Sequence, residues 1–270
     1  MRLLVATLLA VLGLAACGSA AQPPAIPTAT QPLVSTAVST SAPTNTPAPT
    51  APPPPLSSSR AISFTTKDDS VLHGTLYGQG DVAVIFSTMS DTREDTWKAM
   101  AQALADRGYL ALTYDFRFWV NNSIQASLRD KAADDLEGAM DFVRQRGAQR
   151  IVLIGASLGG MATIKAALAD RPTAVIVLAS PLEWPTWPNL RVTIDDVKQL
   201  DLPKLFINSM GDDFADDTQR MFDAASEPKQ IHLYPGKEHG TNLFRTQHGA
   251  DLTNRIIAFL EDVAPAVQPQ

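Results

Sequence analysis

Ser157 stands in Gly155-Ala-Ser157-Leu-Gly159, between a β-branched apolar run and a stretch of helix formers. The run before it, Arg150-Ile-Val-Leu-Ile154, predicts a buried parallel strand. The stretch after it, Met161-Ala-Thr-Ile-Lys-Ala-Ala-Leu168, predicts a helix. A serine held on a tight strand-to-helix turn has its hydroxyl lifted clear of the sheet, and flanking glycines let neighbouring backbone approach without a Cβ clash. The helix N-terminus adds free N–H groups and partial positive charge where an oxyanion would form. Together these features predict a nucleophilic serine. The plainer alternative is a glycine-rich turn in which Ser157 only caps the helix.

Serine is a poor nucleophile until an imidazole takes its proton, and a carboxylate then fixes the imidazole tautomer and steadies the imidazolium. The chain has four histidines. His239, in Pro235-Gly-Lys-Glu-His-Gly240, follows a predicted strand and precedes a glycine that lets the backbone turn. His73 falls in a predicted N-terminal hairpin, as a surface or packing residue. His232 falls inside a strand and is expected to be half-buried; His248, at or just before the last helix, is expected to be exposed. Asp212 and Asp213 follow another predicted strand in Asn208-Ser-Met-Gly-Asp-Asp213, and either could instead be a solvated or helix-capping carboxylate. No histidine and carboxylate cluster has metal-ligand spacing, so neither a metal nor another cofactor is expected.

The elements that must position these residues alternate. Ala61–Thr66 and Val71–Tyr77 flank the polar turn Lys67-Asp-Asp-Ser70 and predict a hairpin. Strands are then predicted at Val82–Phe86, Leu110–Tyr114, Arg150–Ile154, Thr173–Leu178, Lys204–Asn208 and Gln230–Tyr234. Helices are predicted at Trp97–Arg107, Ala132–Arg146, Met161–Leu168, Gln219–Ala225 and Asn254–Glu261. Such alternation specifies an α/β fold, a mostly parallel twisted sheet with helices on both faces, in which chemistry gathers at the carboxyl ends of the strands. Ser157, the aspartate pair and His239 all fall on loops at that edge, in the chain order Ser, Asp, His.

With that order on those loops, residues 60 to 264 resemble an α/β-hydrolase. The resemblance implies Ser157 as nucleophile, His239 as general base and then acid, and an orienting acid that is Asp213 or Asp212. Asp213 is favoured because the family's acid usually stands just before the following helix; Glu183 occupies an occasional alternative position. The oxyanion would be held by the backbone N–H of Leu158 and by one from Phe86-Ser-Thr-Met-Ser-Asp91, Met89 first and Ser90 in reserve. That loop lacks the family's frequent His-Gly pair, and Tyr114-Asp-Phe-Arg117 resembles its Asp-x-Arg-Gly turn without the glycine. Residues 179–203, where many members insert a lid, suffice for a loop and one short helix, so no sizeable lid is expected. Trp184, Trp187 and Phe118-Trp119 either line an acyl or aryl pocket or pack loops on the sheet.

The ends of the chain suggest where it works. Met1-Arg2 and the apolar run Leu3–Ala16, ending in Leu14-Ala-Ala-Cys17, resemble a bacterial lipoprotein signal over residues 1–17. Cys17, the only cysteine, would be acylated, placing the protein outside the cell on the outer face of a membrane. Residues 18–59 are rich in Pro, Thr, Ser and Ala and hold no charge until Arg60, which predicts a disordered tether. Residues 60–266 form the remaining domain. The formal net charge of −6 and the absence of a basic cluster argue against nucleic acid as a partner, and the domain is expected to act as a monomer on a small acyl substrate. Three functions stay open: a serine hydrolase cutting small carboxylic esters through an acyl-enzyme, a related acyl-transfer, amide or thioester enzyme, and a catalytically inactive binding module.

Overall fold

The computed structural model describes residues 58–267. Cys17, the signal and nearly all of the tether lie outside that range; Ser59, read as the tether's last residue, opens the first strand. The chain order is β1 (Ser59–Thr65), β2 (Val71–Tyr77), β3 (Val82–Ser87), α1 (Lys98–Ala105), β4 (Leu110–Tyr114), β5 (Trp119–Val120), β6 (Ser123–Ile124) and α2 (Ala132–Arg144). It continues through β7 (Arg150–Ala156), α3 (Leu158–Ala169), β8 (Ala174–Leu178), α4 (Ile194–Lys198), β9 (Lys204–Ser209), α5 (Ala215–Ala224), β10 (Lys229–Tyr234) and α6 (Gly249–Val263).

Eight strands form one sheet in the order β1-β2-β4-β3-β7-β8-β9-β10. The pairs from β4 through β10 are all parallel, and β1–β2 and β2–β4 are antiparallel. This is the expected α/β-hydrolase architecture. Successive strand residues face opposite layers: Ala83 and Ile85 pack with α2, α3 and α5, while Val82, Val84 and Phe86 pack with α1 and α6. The central strands β3, β7, β8 and β9 are buried almost throughout, which is why they read as unbroken apolar runs rather than as alternating ones. Nine of the twelve residues of α3 are buried, so the helix that follows Ser157 is fixed on all sides. Among the described residues no helix is long and apolar enough to cross a membrane.

The structure differs from the sequence reading mainly at helix starts and in one loop. Helix α5 begins at Ala215 and α6 at Gly249, earlier than expected, because Asp216, Asp217 and Asp251 occupy first turns where acidic residues suit the helix dipole but mask the apolar period. The loop after β4 carries the small β5–β6 hairpin, turned by Asn121 and Asn122 at φ 49° and 62°. Two asparagines at positive φ make the tight turn that such a ribbon needs.

Candidate active site

Ser157 sits between β7 and α3 with φ 54° and ψ −119°, a strained conformation for a residue with a side chain. It persists because the surroundings over-determine it. Its N–H donates to the Leu178 carbonyl at 2.8 Å, and its own carbonyl accepts from the N–H groups of Gly160 at 2.9 Å and Met161 at 3.2 Å. A Cβ on Gly155 would overlap the Gly159 carbonyl oxygen, and one on Gly159 would overlap the carbonyl oxygens of Ser87 and Thr88. The two glycines thus let the turn close on itself and let the loop after β3 lie directly over the start of α3.

His239 follows β10, and its Nδ1 lies 2.7 Å from Asp212 Oδ2. The carboxylate in contact with His239 is therefore that of Asp212, not the expected Asp213. Asp212 is 3% exposed at its side chain; its Oδ1 accepts from the Phe214 N–H at 2.8 Å and from Asn208 Nδ2 at 3.2 Å. The bond to Phe214 is an Asx turn, in which the first residue's carboxylate caps the N–H two positions on. That turn draws Asp212 inward and leaves Asp213 exposed. Glu183 is also exposed and pairs with Arg220 at 3.0 Å. The loops that carry Asp212 and His239 are joined directly: Ser209 Oγ donates to the Glu238 carbonyl at 2.7 Å, and the Gly211 N–H to the Gly236 carbonyl at 2.8 Å. Asn208, Ser209 and Phe214 were missed by sequence reasoning. The signal that could have found them is an amide side chain four residues before an aspartate, at the end of a buried strand.

The three remaining histidines stand away from this cluster. His73 is exposed on β2, and His232 is half-buried on β10, where burial lowers its pKa. His248 precedes α6 and is half-buried rather than exposed, its ring 5.3 Å from that of Tyr234, which shields it.

Leu158 is the first residue of α3, so its N–H has no partner within the helix. Met89 is buried over Gly240, and its N–H donates to Thr92 Oγ1 at 3.2 Å. The loop that carries it is braced from the neighbouring strand. The Arg93 guanidinium holds Asp115 at 2.9 Å through Nε, and Asp115 also accepts the Glu94 N–H at 2.9 Å. Arg117 pairs with the buried Asp135 at 2.5 Å and with Asp68 at 2.6 Å, so Tyr114-Asp-Phe-Arg117 acts as a structural tie despite the missing glycine.

Aromatic rings wall the site on the imidazole side. The Phe214 ring lies 5.5 Å from that of His239, Trp184 stands edge-on to Phe214 at 5.8 Å, and Trp187 lies 6.1 Å from Trp184. Phe118, by contrast, is fully buried among Phe116 and its neighbours. One short helix, α4, is the only helix in the segment between β8 and β9, too little for a sizeable lid. Among the described residues no three His, Cys, Asp or Glu side chains are grouped so as to hold a metal ion.

A strained serine between a strand and a buried helix, with a histidine and a buried aspartate on later loops of the same edge, is the arrangement of one large fold family. Residues 89–268 match the family model for an alpha/beta hydrolase domain. The chain belongs to the alpha/beta-hydrolase family. Solved members share its fold at low identity. An esterase of Pyrococcus furiosus is 16% identical with a TM-score of 0.64, over 77% of this chain and 93% of its own. The esterase domain of a Rhodothermus marinus protein is 18% identical with a TM-score of 0.61, over 76% of this chain and 98% of its own. The alpha/beta hydrolase GrgF of a Penicillium species is 18% identical with a TM-score of 0.65, over 76% and 99%. Curated proteins offer no sequence match to this alpha/beta hydrolase.

Proposed function

We propose that this protein is a serine hydrolase that cleaves small carboxylic esters through an acyl-enzyme. The observation that carries the reading is the 2.7 Å contact of His239 Nδ1 with the buried Asp212 carboxylate, on the same sheet edge as the strained Ser157 turn. In this reading Ser157 Oγ attacks the ester carbonyl while His239 Nε2 takes its proton. Asp212 holds the imidazole with Nδ1 protonated and steadies the imidazolium. The resulting oxyanion is held by the Leu158 N–H and by that of Met89, which exchanges the neutral Thr92 hydroxyl for a charged and stronger acceptor. Collapse breaks the bond to the alcohol oxygen, which leaves with the imidazolium proton. Water, deprotonated by the same histidine, then releases the acid and restores Ser157. Two similar structures, esterases of Pyrococcus furiosus and Rhodothermus marinus, agree with an ester substrate.

The test is labelling by a fluorophosphonate together with turnover of short p-nitrophenyl esters. Ser157→Ala is expected to abolish labelling and to lower kcat by at least about 10³-fold; undiminished hydrolysis would sink the reading. The engaged Met89 N–H favours one rival, an inactive hydrolase fold used for binding, and absence of labelling in the folded protein would select it. Export as a lipoprotein anchored through Cys17 is part of the proposal and rests on the N-terminal sequence. Palmitate incorporation that disappears in Cys17→Ser is the expected result, and palmitate-free protein would refute the anchor.

A further inference from the structure

The carboxyl-edge loops around Ser157 are joined by a chain of contacts. On one side Gly240, next to His239, packs against Met89 Sδ, and Met89 is followed by Ser90. The Ser90 carbonyl accepts from Arg129 Nη2 at 2.9 Å. The guanidinium carbon of Arg129 lies 5.7 Å from the ring centre of Phe118 and 5.7 Å from that of Trp187. From Trp187 the contacts return through Trp184 and Phe214 to His239. Arg129 thus stands where the loops after β3, β4 and β8 meet. Its neighbour Asp130 fixes it there by accepting from the N–H and the side-chain amide of Asn189, the former at 2.8 Å.

Arg129 is also electrostatically incomplete. Arg93 and Arg117, in the loops after β3 and β4, each hold an aspartate. Among the described residues Arg129 forms no such pair, and its Nε is buried without a hydrogen-bond partner. A buried donor on a charged group is costly to leave unmade, and two flanking aromatic rings hold the guanidinium in place. The direction of the chemistry says which part of an ester reaches it. The leaving oxygen must approach His239 to receive its proton, so the acyl chain extends away from His239; Arg129 bonds the carbonyl of Ser90, next to the Met89 N–H assigned to the oxyanion.

We propose that Arg129 is a specificity-determining residue that binds a carboxylate at the far end of the acyl chain, so that the preferred substrates are monoesters of dicarboxylic acids. The inference rests on the serine-hydrolase reading above. The reaction adds one water, breaks the ester C–O bond and yields the alcohol, the dicarboxylate and one proton.

The experiment compares p-nitrophenyl monoesters of four- to eight-carbon dicarboxylic acids with neutral straight-chain esters of equal carbon number. In the unaltered protein kcat/KM for the charged ester is expected to exceed that of its neutral partner by about tenfold or more at one chain length at least. Arg129→Met, which keeps much of the stem that packs on Phe118 and Trp187, should reduce that ratio by about tenfold, chiefly through KM. Arg129→Lys should keep part of the preference. A preference for the neutral ester at every length, or equal losses on both members of a pair, would overturn the assignment, the latter marking Arg129 as a mere prop for Ser90. A second measurement does not depend on turnover: quenching of tryptophan fluorescence by the free four- to eight-carbon dicarboxylates. Quenching that vanishes in Arg129→Met sustains the anion site even if no ester is cleaved, whereas quenching unchanged by the substitution, or none at all, refutes it.

Discussion

The carboxylate of Asp212 accepts from His239, from the Phe214 N–H and from Asn208 Nδ2, and almost none of it meets water. Asparagine in its place would keep the shape but present a donor or a weaker acceptor to Nδ1, favouring the wrong imidazole tautomer. Asp212→Asn is therefore expected to lower kcat by about 10³–10⁴-fold, whereas Asp213→Asn, at an exposed position, should stay within about twofold. Steady-state hydrolysis of one p-nitrophenyl ester by the two variants decides it, and the reverse ranking would reassign the acid. The placement of Ser157 and His239 at one sheet edge was legible in the sequence because each stands in a glycine-bearing loop just after a strand. The choice between adjacent aspartates was not legible. It depends on which of two neighbouring side chains the Asx turn draws inward, and identical residue types carry no sign of that. Arg129 was equally hidden, since its importance comes from what it lacks within bonding distance.

Strand β7, the Ser157 turn and helix α3 form a unit whose geometry depends on two missing side chains. Gly159→Ala would press a methyl group into the carbonyl oxygens of Ser87 and Thr88, which belong to backbone and cannot rotate away. Its expected cost is about 1–3 kcal/mol of stability, with slower fluorophosphonate labelling, since relief requires moving the loop that carries Met89. Chemical denaturation and labelling rate, measured on one preparation, check both effects, and a fully stable, normally labelled variant would contradict the packing argument. The buried strands were legible because both faces are covered, leaving apolar runs bounded by polar turns. Helices α5 and α6 were legible only in their later turns, because acidic first turns favour the dipole but break the apolar period. The β5–β6 hairpin, two residues to a strand, is too short to show any period; only Asn121-Asn122 marks it.

Across the whole molecule, alternation of strands and helices specified the α/β architecture from sequence, because each crossover must cover a sheet face. The polar tie between the loop after β4 and α2 was not visible at that level, and it gives the domain a pH-dependent component. Burial raises the Asp135 pKa from the ordinary carboxylate range to about 6, while Arg117, its partner, is shared with Asp68 on the solvent side. The folded state then keeps a proton that the unfolded chain has already released, so ionising Asp135 costs stability as pH rises from about 4 to about 6. The unaltered protein should therefore lose unfolding free energy relative to Asp135→Asn across that window and run parallel to it above. Urea titrations at stepped pH measure this, and a relative gain would mean that pairing with Arg117 outweighs burial. Strand polarity has one further consequence. Because β1 is antiparallel to β2 and β2 to β4, β1 runs with the parallel strands, so Ser58 lies where they begin and Ser157 where they end. Pro265, whose carbonyl accepts from Arg150 at the first residue of β7, lies at the same starting end. A seven-residue strand, about 20 Å, separates that floor from the edge that carries Ser157. A domain fastened to a surface at Ser58 or Pro265 themselves would present the opposite end of the sheet, the one that carries Ser157, to the solution.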